Sequence, residues 1–394
     1  MSSRLDDVAA FFDGGRLTLA RNLAGLRKNK LAGLIEKSPT AIAAYENGAK
    51  RPAPATVAQL ALVLEVEPGF FLARPRDLPR LGTPPHFRSL RSTSQIARDQ
   101  AHAYGQLAVD VATVIERHVE FPRRALPVCP VAVDEADNDA PEQAAQLLRK
   151  EWDLPAGPIG HLVRLVENHG GLVVFSPTAT AAVDAYSFDT PERPIILLNP
   201  LKDDYYRQRF DVAHELGHLV MHLDADPGGR VAEEQANRFA AELLMPAAQI
   251  KDFLPSRADW QRFGQLKQYW NVSLQALLYR ARRLGAMRDV TYRNAMSTVS
   301  ARGWRRREPG TMPLLEQPSL LPGAVRLLQQ EAGVEERTLA TECQVPMNLF
   351  KTITARTPQQ PISQSSSNHQ ENEASQSAHG VTSLLSRLSS KNDG

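Results

Sequence analysis

Residues 214–218 read His-Glu-Leu-Gly-His, and no other feature constrains the fold of this chain so tightly. They lie in a stretch, 210–223, whose pattern predicts a helix. Residues four apart share a helix face, so His214 and His218 direct two imidazoles at one point, where they can hold one zinc ion. Glu215 lies one residue along, off that axis, where a carboxylate can take a proton from water. Gly217 permits close approach by a neighbouring element.

A second helix supplies what the first lacks. Glu233-Glu-Gln-Ala-Asn237 begins fifteen residues after His218, following a turn at 226–229. Glu233 and Asn237 are again four apart, on one face. Catalytic zinc takes three protein ligands and keeps one position open. Glu233 is the expected third ligand, and Asn237 can hydrogen-bond a ligating histidine from behind. Glu234 points about 100° away from Glu233, and Glu242 reads as a solvated helix-face charge. His222 shares the face of His214 and His218; it reads as packing or substrate-side polarity, since a fourth protein ligand would close the site. His169, Tyr186 and His222 are the candidates for stabilising a developing oxyanion. The strand-like run 195–199 reads as a sheet edge on which a peptide could be laid by strand addition.

With 394 residues, 42% of them hydrophobic and 23% charged, the chain has the length for two or three domains and the composition to bury their cores. No apolar run is long enough for a membrane span, so no membrane association is expected. The opening MSSRLDDVAAFF lacks a basic segment followed by an apolar one, so no secretory signal is expected. Cys129 and Cys343 fit neither a disulfide framework nor a cysteine metal site, which points to a reduced, cytoplasmic setting.

Charge is unevenly distributed. Residues 16–54 carry eight basic side chains (Arg16, Arg21, Arg27, Lys28, Lys30, Lys37, Lys50 and Arg51) against Glu36 and Glu46, a net of +6 that suits nucleic acid. Up to residue 72 the pattern predicts five short helices. One begins near Leu31. The next has Ser38 as N-cap and Pro39 in first position, and ends at Asn47-Gly48. With Leu31, Ile35, Ile42 and Tyr45 facing inward, the pair forms a helix-turn-helix.

The segment KLAGLIEKSPTAIAAYENGAKRPAPATVAQLALVLEV resembles the XRE (phage-repressor-like) helix-turn-helix family over about residues 16–72. The resemblance implies base contacts from Thr40, Ala41 and Ala44; Lys28, Lys30, Lys50 and Arg51 are the basic side chains that can grip phosphates. Alanine can touch only a thymine methyl, so direct readout is thin. The blocks GHLVRLVENHGGLVVF, IILLNP, RQRFDVAHELGHLVMH and EEQANRFAAELLMP occur in order and resemble the ImmA/IrrE family of zinc metallopeptidases over about residues 150–290. That likeness implies His214, His218 and Glu233 as zinc ligands, Glu215 as catalytic base, and a repressor or similar regulatory protein as substrate.

The expected fold is mainly α with a small β-sheet: an all-α helix-turn-helix domain joined to an α+β zincin-like metallopeptidase domain. Its divisions are a DNA-binding domain at 1–75, a helical linker region at 76–140 and a zinc peptidase domain at 141–295. A helical C-terminal extension at 296–355 and a disordered tail at 356–394 follow. Within them helices are expected near 92–118, 141–152, 159–168 and 320–353, strands at 172–175 and 195–199, and helical pattern from 205 almost to 287. Residues 266–280 also scan as a helix-turn-helix, with Tyr269 and Trp270 expected in the core. The function implied is a DNA-binding transcriptional regulator with a zinc endopeptidase acting in stress response, mobile-element or toxin–antitoxin control. DNA and a protein substrate are its expected partners, and a homodimer is allowed. The alternative is a transcription factor whose zinc domain senses or binds without turnover.

Overall fold

The computed structural model describes residues 5–72, 86–87, 94–134, 138–177, 185–190, 192–222 and 229–358. Most of the predicted linker at 74–86, most of the turn at 226–229 and the tail from 359 onward lie outside the described residues. Among the described residues no helix is long and apolar enough to cross a membrane.

Five helices open the chain: α1 (Leu5–Ala10), α2 (Gly14–Leu23), α3 (Lys28–Leu34), α4 (Pro39–Glu46) and α5 (Pro54–Val63). The Ser38 hydroxyl accepts from the Ala41 amide, Pro39 opens α4, and Gly48 takes a φ of +74° just beyond it, as the cap pattern requires. Leu31, Ile35, Ile42 and Tyr45 are all buried, where α3 packs on α4 and α4 on α2.

The rest is built around a small sheet. In chain order come β1 (His86–Phe87), α6 (Gln95–Glu116), α7 (Ala140–Glu151), α8 (Leu162–Asn168), β2 (Leu172–Phe175), β3 (Ala185–Phe188) and β4 (Ile195–Leu198). The sheet order is β1-β3-β4-β2, with β4 parallel to β2 and antiparallel to β3. The expected edge strand at 195–199 is therefore an inner strand, bonded on both sides. Its residues Ile-Ile-Leu-Leu are buried throughout, and an unbroken apolar run is what a strand covered on both faces needs. Period-two alternation sorts the side chains cleanly. Leu172, Val174, Tyr186, Phe188, Ile195 and Leu197 enter one core, while Val173, Phe175, Ala185, Ile196 and Leu198 enter the other.

Helix α6 lies against the first face. A Cβ on Gly105 would sit 2.3 Å from Phe188, so the absence of a side chain there sets the distance between helix and sheet. The second face is covered by α9 (Tyr205–Met221), which packs on α10 (Arg230–Leu244). Then follow α11 (Ala247–Ile250), α12 (Trp260–Trp270), α13 (Leu274–Arg283) and α14 (Asp289–Ala301). The sequence pattern did not predict α14; only Ala295 and Val299 of it are buried, too few for a clear apolar stripe. Trp270 is in the core as expected, but Tyr269 is 61% exposed, because it is its neighbour that turns inward.

The connector 304–319, turns and bends followed by chain without regular structure, ties back across this half through buried carboxylates. Glu308 accepts from Lys267 and from the Leu274 amide, and Glu316 pairs with Arg209 and accepts from the Val163 amide. Glu167 of α8 accepts from the Ser319 and Leu320 amides at the start of α15 (Leu320–Ala332). Helices α16 (Glu336–Glu342) and α17 (Met347–Ile353) follow, and all three pack into the core shared by α6 and the N-terminal helices.

Candidate metal centre

Helix α9 is capped by Asp204, whose side chain accepts from the Tyr206 and Arg207 amides, and it runs unbroken through residues 214–218. His214 and His218 share the face turned to α10. Their Nε2 atoms lie 3.1 Å apart, and Glu233 of α10 places Oε2 3.4 Å from the first and Oε1 3.4 Å from the second. One ligand atom from each residue falls within 4.8 Å of the other two, the only such group of three among the described residues. Two imidazole nitrogens and a carboxylate, converging from two rigid helices, form a donor set that fits zinc.

Gly217 has the role its position suggests. A Cβ there would meet three atoms of Phe239 on α10 at 3.0–3.3 Å, so the bare backbone lets the two helices close. Asn237 reaches His214, with Oδ1 3.1 Å from Nδ1. His222 is no bystander in the packing. Its Nδ1 lies 3.0 Å from Nδ1 of His218, and its Nε2 lies 2.9 Å from Oε1 of Gln235. Burial first, and His218 second, hold the His222 imidazole down at about 4.

Glu215 is fully buried on the same helix, and its Oε2 accepts a 2.7 Å hydrogen bond from the hydroxyl of Ser187 on β3. Sequence reading did not find Ser187. The signal was the alternation in Ala-Tyr-Ser-Phe, which turns Ser187 to α9 while Tyr186 and Phe188 face α6. Tyr186 is thereby removed as an oxyanion donor, since it stands on the opposite side of the sheet from Glu215. His169 is engaged elsewhere too: its ring stacks on Trp152 at 4.3 Å and its Nδ1 meets the Leu165 carbonyl. The remaining acids differ from expectation in one case. Glu234 points outward and accepts from the Tyr279 hydroxyl, whereas Glu242, expected in solvent, is 1% exposed. It pairs with Arg280 and accepts from Gln146, so its charge is balanced inside the core.

In the N-terminal helices the basic count shrinks when burial is considered. Arg16 and Arg21 are buried; the first approaches Asp110, and the second pairs with Glu46. Lys28 also reaches Glu46, at 3.0 Å. Arg27, Lys30, Lys37, Lys50 and Arg51 remain exposed, as does Thr40, while Ala41 and Ala44 are half-buried and Ala41 packs against the core.

The arrangement defines a class: a metallopeptidase-like domain of the HExxH type, joined to a helix-turn-helix domain. Residues 166–282 match the family model for the IrrE N-terminal-like domain, Peptidase_M78, and residues 17–71 match the helix-turn-helix model HTH_3. The chain thus combines an ImmA/IrrE-type domain with an XRE-type one. Among curated proteins, none matches it.

Proposed function

We propose that this chain is a DNA-binding regulator carrying a zinc-dependent endopeptidase, and that its substrate is a repressor or another regulatory protein. The observation that carries the enzymatic half is Glu215, a buried carboxylate fixed by Ser187 beside three converging donors. A structural zinc site is closed by four protein ligands and has no need of an adjacent base. His214, His218 and Glu233 would hold the ion, which when bound supplies a Lewis acid for a peptide carbonyl and makes a water more acidic. Glu215 takes the proton of the attacking water on Oε1, the oxygen Ser187 does not engage. It then delivers that proton to the departing amide nitrogen. Asn237 and His222 keep the two imidazoles turned to the centre.

An extended peptide would be received at a strand edge. Since β3 and β4 are both interior, the edges of the sheet are β1 and β2, and the one next to the strand that carries Ser187 is β1. At the N-terminal end, α4 would enter the major groove, and Lys30, Lys50 and Arg51 would contact phosphates. With Ala41 and Ala44 at the base-facing positions, affinity comes chiefly from the backbone.

The test is Glu215→Gln. The variant is expected to retain zinc, to co-purify with its protein target, and to leave that target intact where the unaltered protein cleaves it. Cleavage by the variant at the normal rate would remove Glu215 from the mechanism. Normal gene regulation by a zinc-free His214→Ala variant would favour the non-catalytic sensor.

A further inference from the structure

We propose that His222 and Gln235 are positioning residues which set the proton of His218, so that its Nε2 faces the metal centre unprotonated before any cation arrives. The inference deepens the metal-site reading above and rests on it.

One group in this chain of contacts has a single chemical option. The Ala132 carbonyl can only accept, so the Gln235 atom 2.8 Å from it is the amide nitrogen. The other Gln235 atom is then the oxygen, which also only accepts. His222 Nε2, 2.9 Å away, therefore carries a hydrogen and donates it. A histidine buried to 1% exposure is neutral and has a single N–H, which leaves His222 Nδ1 bare. The atom facing it at 3.0 Å is His218 Nδ1, which must be the donor. With the one hydrogen of His218 on Nδ1, its Nε2 presents a lone pair. That Nε2 is the atom 3.1 Å from His214 Nε2 and 3.4 Å from Glu233 Oε1.

Metals bind the unprotonated nitrogen, and the hydrogen bond on the far nitrogen decides which one that is. Here the decision is relayed over two side chains from a main-chain carbonyl. The relay is anchored at both ends. His222 follows His218 by one helical turn, and the amides of Cys129 and Val131 bond to the carbonyls of Val220 and Met221, so the segment carrying Ala132 runs along the end of α9. Reversing Gln235 or removing it would free His222 to donate to His218, which would place a hydrogen on the nitrogen that must bind metal.

The test uses the full-length chain labelled with 15N-histidine and stripped of metal. Long-range 15N–1H spectra are expected to show His218 as the Nδ1–H tautomer and His222 as the Nε2–H tautomer. An Nε2–H tautomer at His218 would overturn the proposal. Gln235→Leu touches neither His218 nor its ligating partners, and should lower zinc affinity roughly 10–100-fold in a chelator competition. It should also give His222 a mixture of tautomers. Unchanged affinity with unchanged spectra would overturn the proposal as well. Neither readout involves cleavage. A protein that binds zinc and cleaves nothing would sink the peptidase and leave the relay standing, and a reversed His218 tautomer would do the opposite.

Discussion

Ser187 and Glu215 are both fully buried, and a carboxylate in such a place turns toward whatever donor it can reach. The 2.7 Å bond from Ser187 fixes one carboxylate oxygen, and in the proposed mechanism the other takes the proton. Ser187→Ala should lower the cleavage rate roughly 10–100-fold while zinc content, read by metal analysis, stays the same. A variant that loses zinc together with activity would show that Ser187 shapes the centre and not the base. The contrast with its neighbours explains what could be read from the sequence. His214, His218, Glu233 and Asn237 were legible because each is paired with another at helical spacing, a periodicity written in the chain. Ser187 touches a residue 28 positions away, and Glu242 finds Arg280 38 positions away. No local pattern reports those partners, so a buried ion pair read as a solvated charge.

Helices α9 and α10 hold the centre only if they lie close, and Gly217 makes that a matter of one hydrogen atom. Alanine at 217 would add about 1 kcal/mol of helix propensity. Against that, overpacking a core costs about 1–3 kcal/mol. With Phe239 atoms at 3.0–3.3 Å and the ring fully buried, the second effect wins. Gly217→Ala should therefore melt earlier than the parent and hold zinc less well, and Gly217→Val should do both more strongly; a more stable alanine variant that keeps its zinc would refute this. Helix α4 invites a different measurement. Lys50 and Arg51 are exposed just beyond it. Replacing either by alanine should weaken DNA binding evenly across sequences and reduce the slope of log affinity against log salt by about 1. A loss confined to one sequence would mean base contact instead. Among elements, those with end signals were legible: Ser38-Pro39 and Asn47-Gly48 bracket α4 as its capping chemistry dictates. The sheet was legible only in part. An apolar run announces a buried strand, but whether it lies at the edge or in the middle is decided by partners distant in the chain, and β4 proved central.

The sequence divides into blocks more sharply than the folded molecule does. One core takes side chains from α2 and α5, from the length of α6, from one face of the sheet, and from α15, α16 and α17. Arg16 fastens three of these parts at once. Its Nε donates to the Phe70 carbonyl at 2.8 Å, its Nη2 donates to the Gln344 carbonyl at 2.6 Å, and its Nη1 lies 3.8 Å from Asp110 of α6. Beyond α6, Tyr104 donates to the Phe175 carbonyl at the end of β2, and Phe188 packs against Gly105. The helix-turn-helix is thereby tied through α6 to the sheet whose other face carries Ser187, the partner of Glu215 on α9. Arg16→Met keeps an unbranched apolar stem and removes the charge and donors, so buried Asp110 keeps Gln106 but loses its cation. Breaking one partner of a buried pair costs about 3–5 kcal/mol, so the variant should melt well below the parent. Because the N-terminal helices, α6 and the C-terminal helices share that core, calorimetry should show them unfolding together in both proteins. A helix-turn-helix that melts alone, ahead of the rest, would mean that the shared core does not couple the two halves.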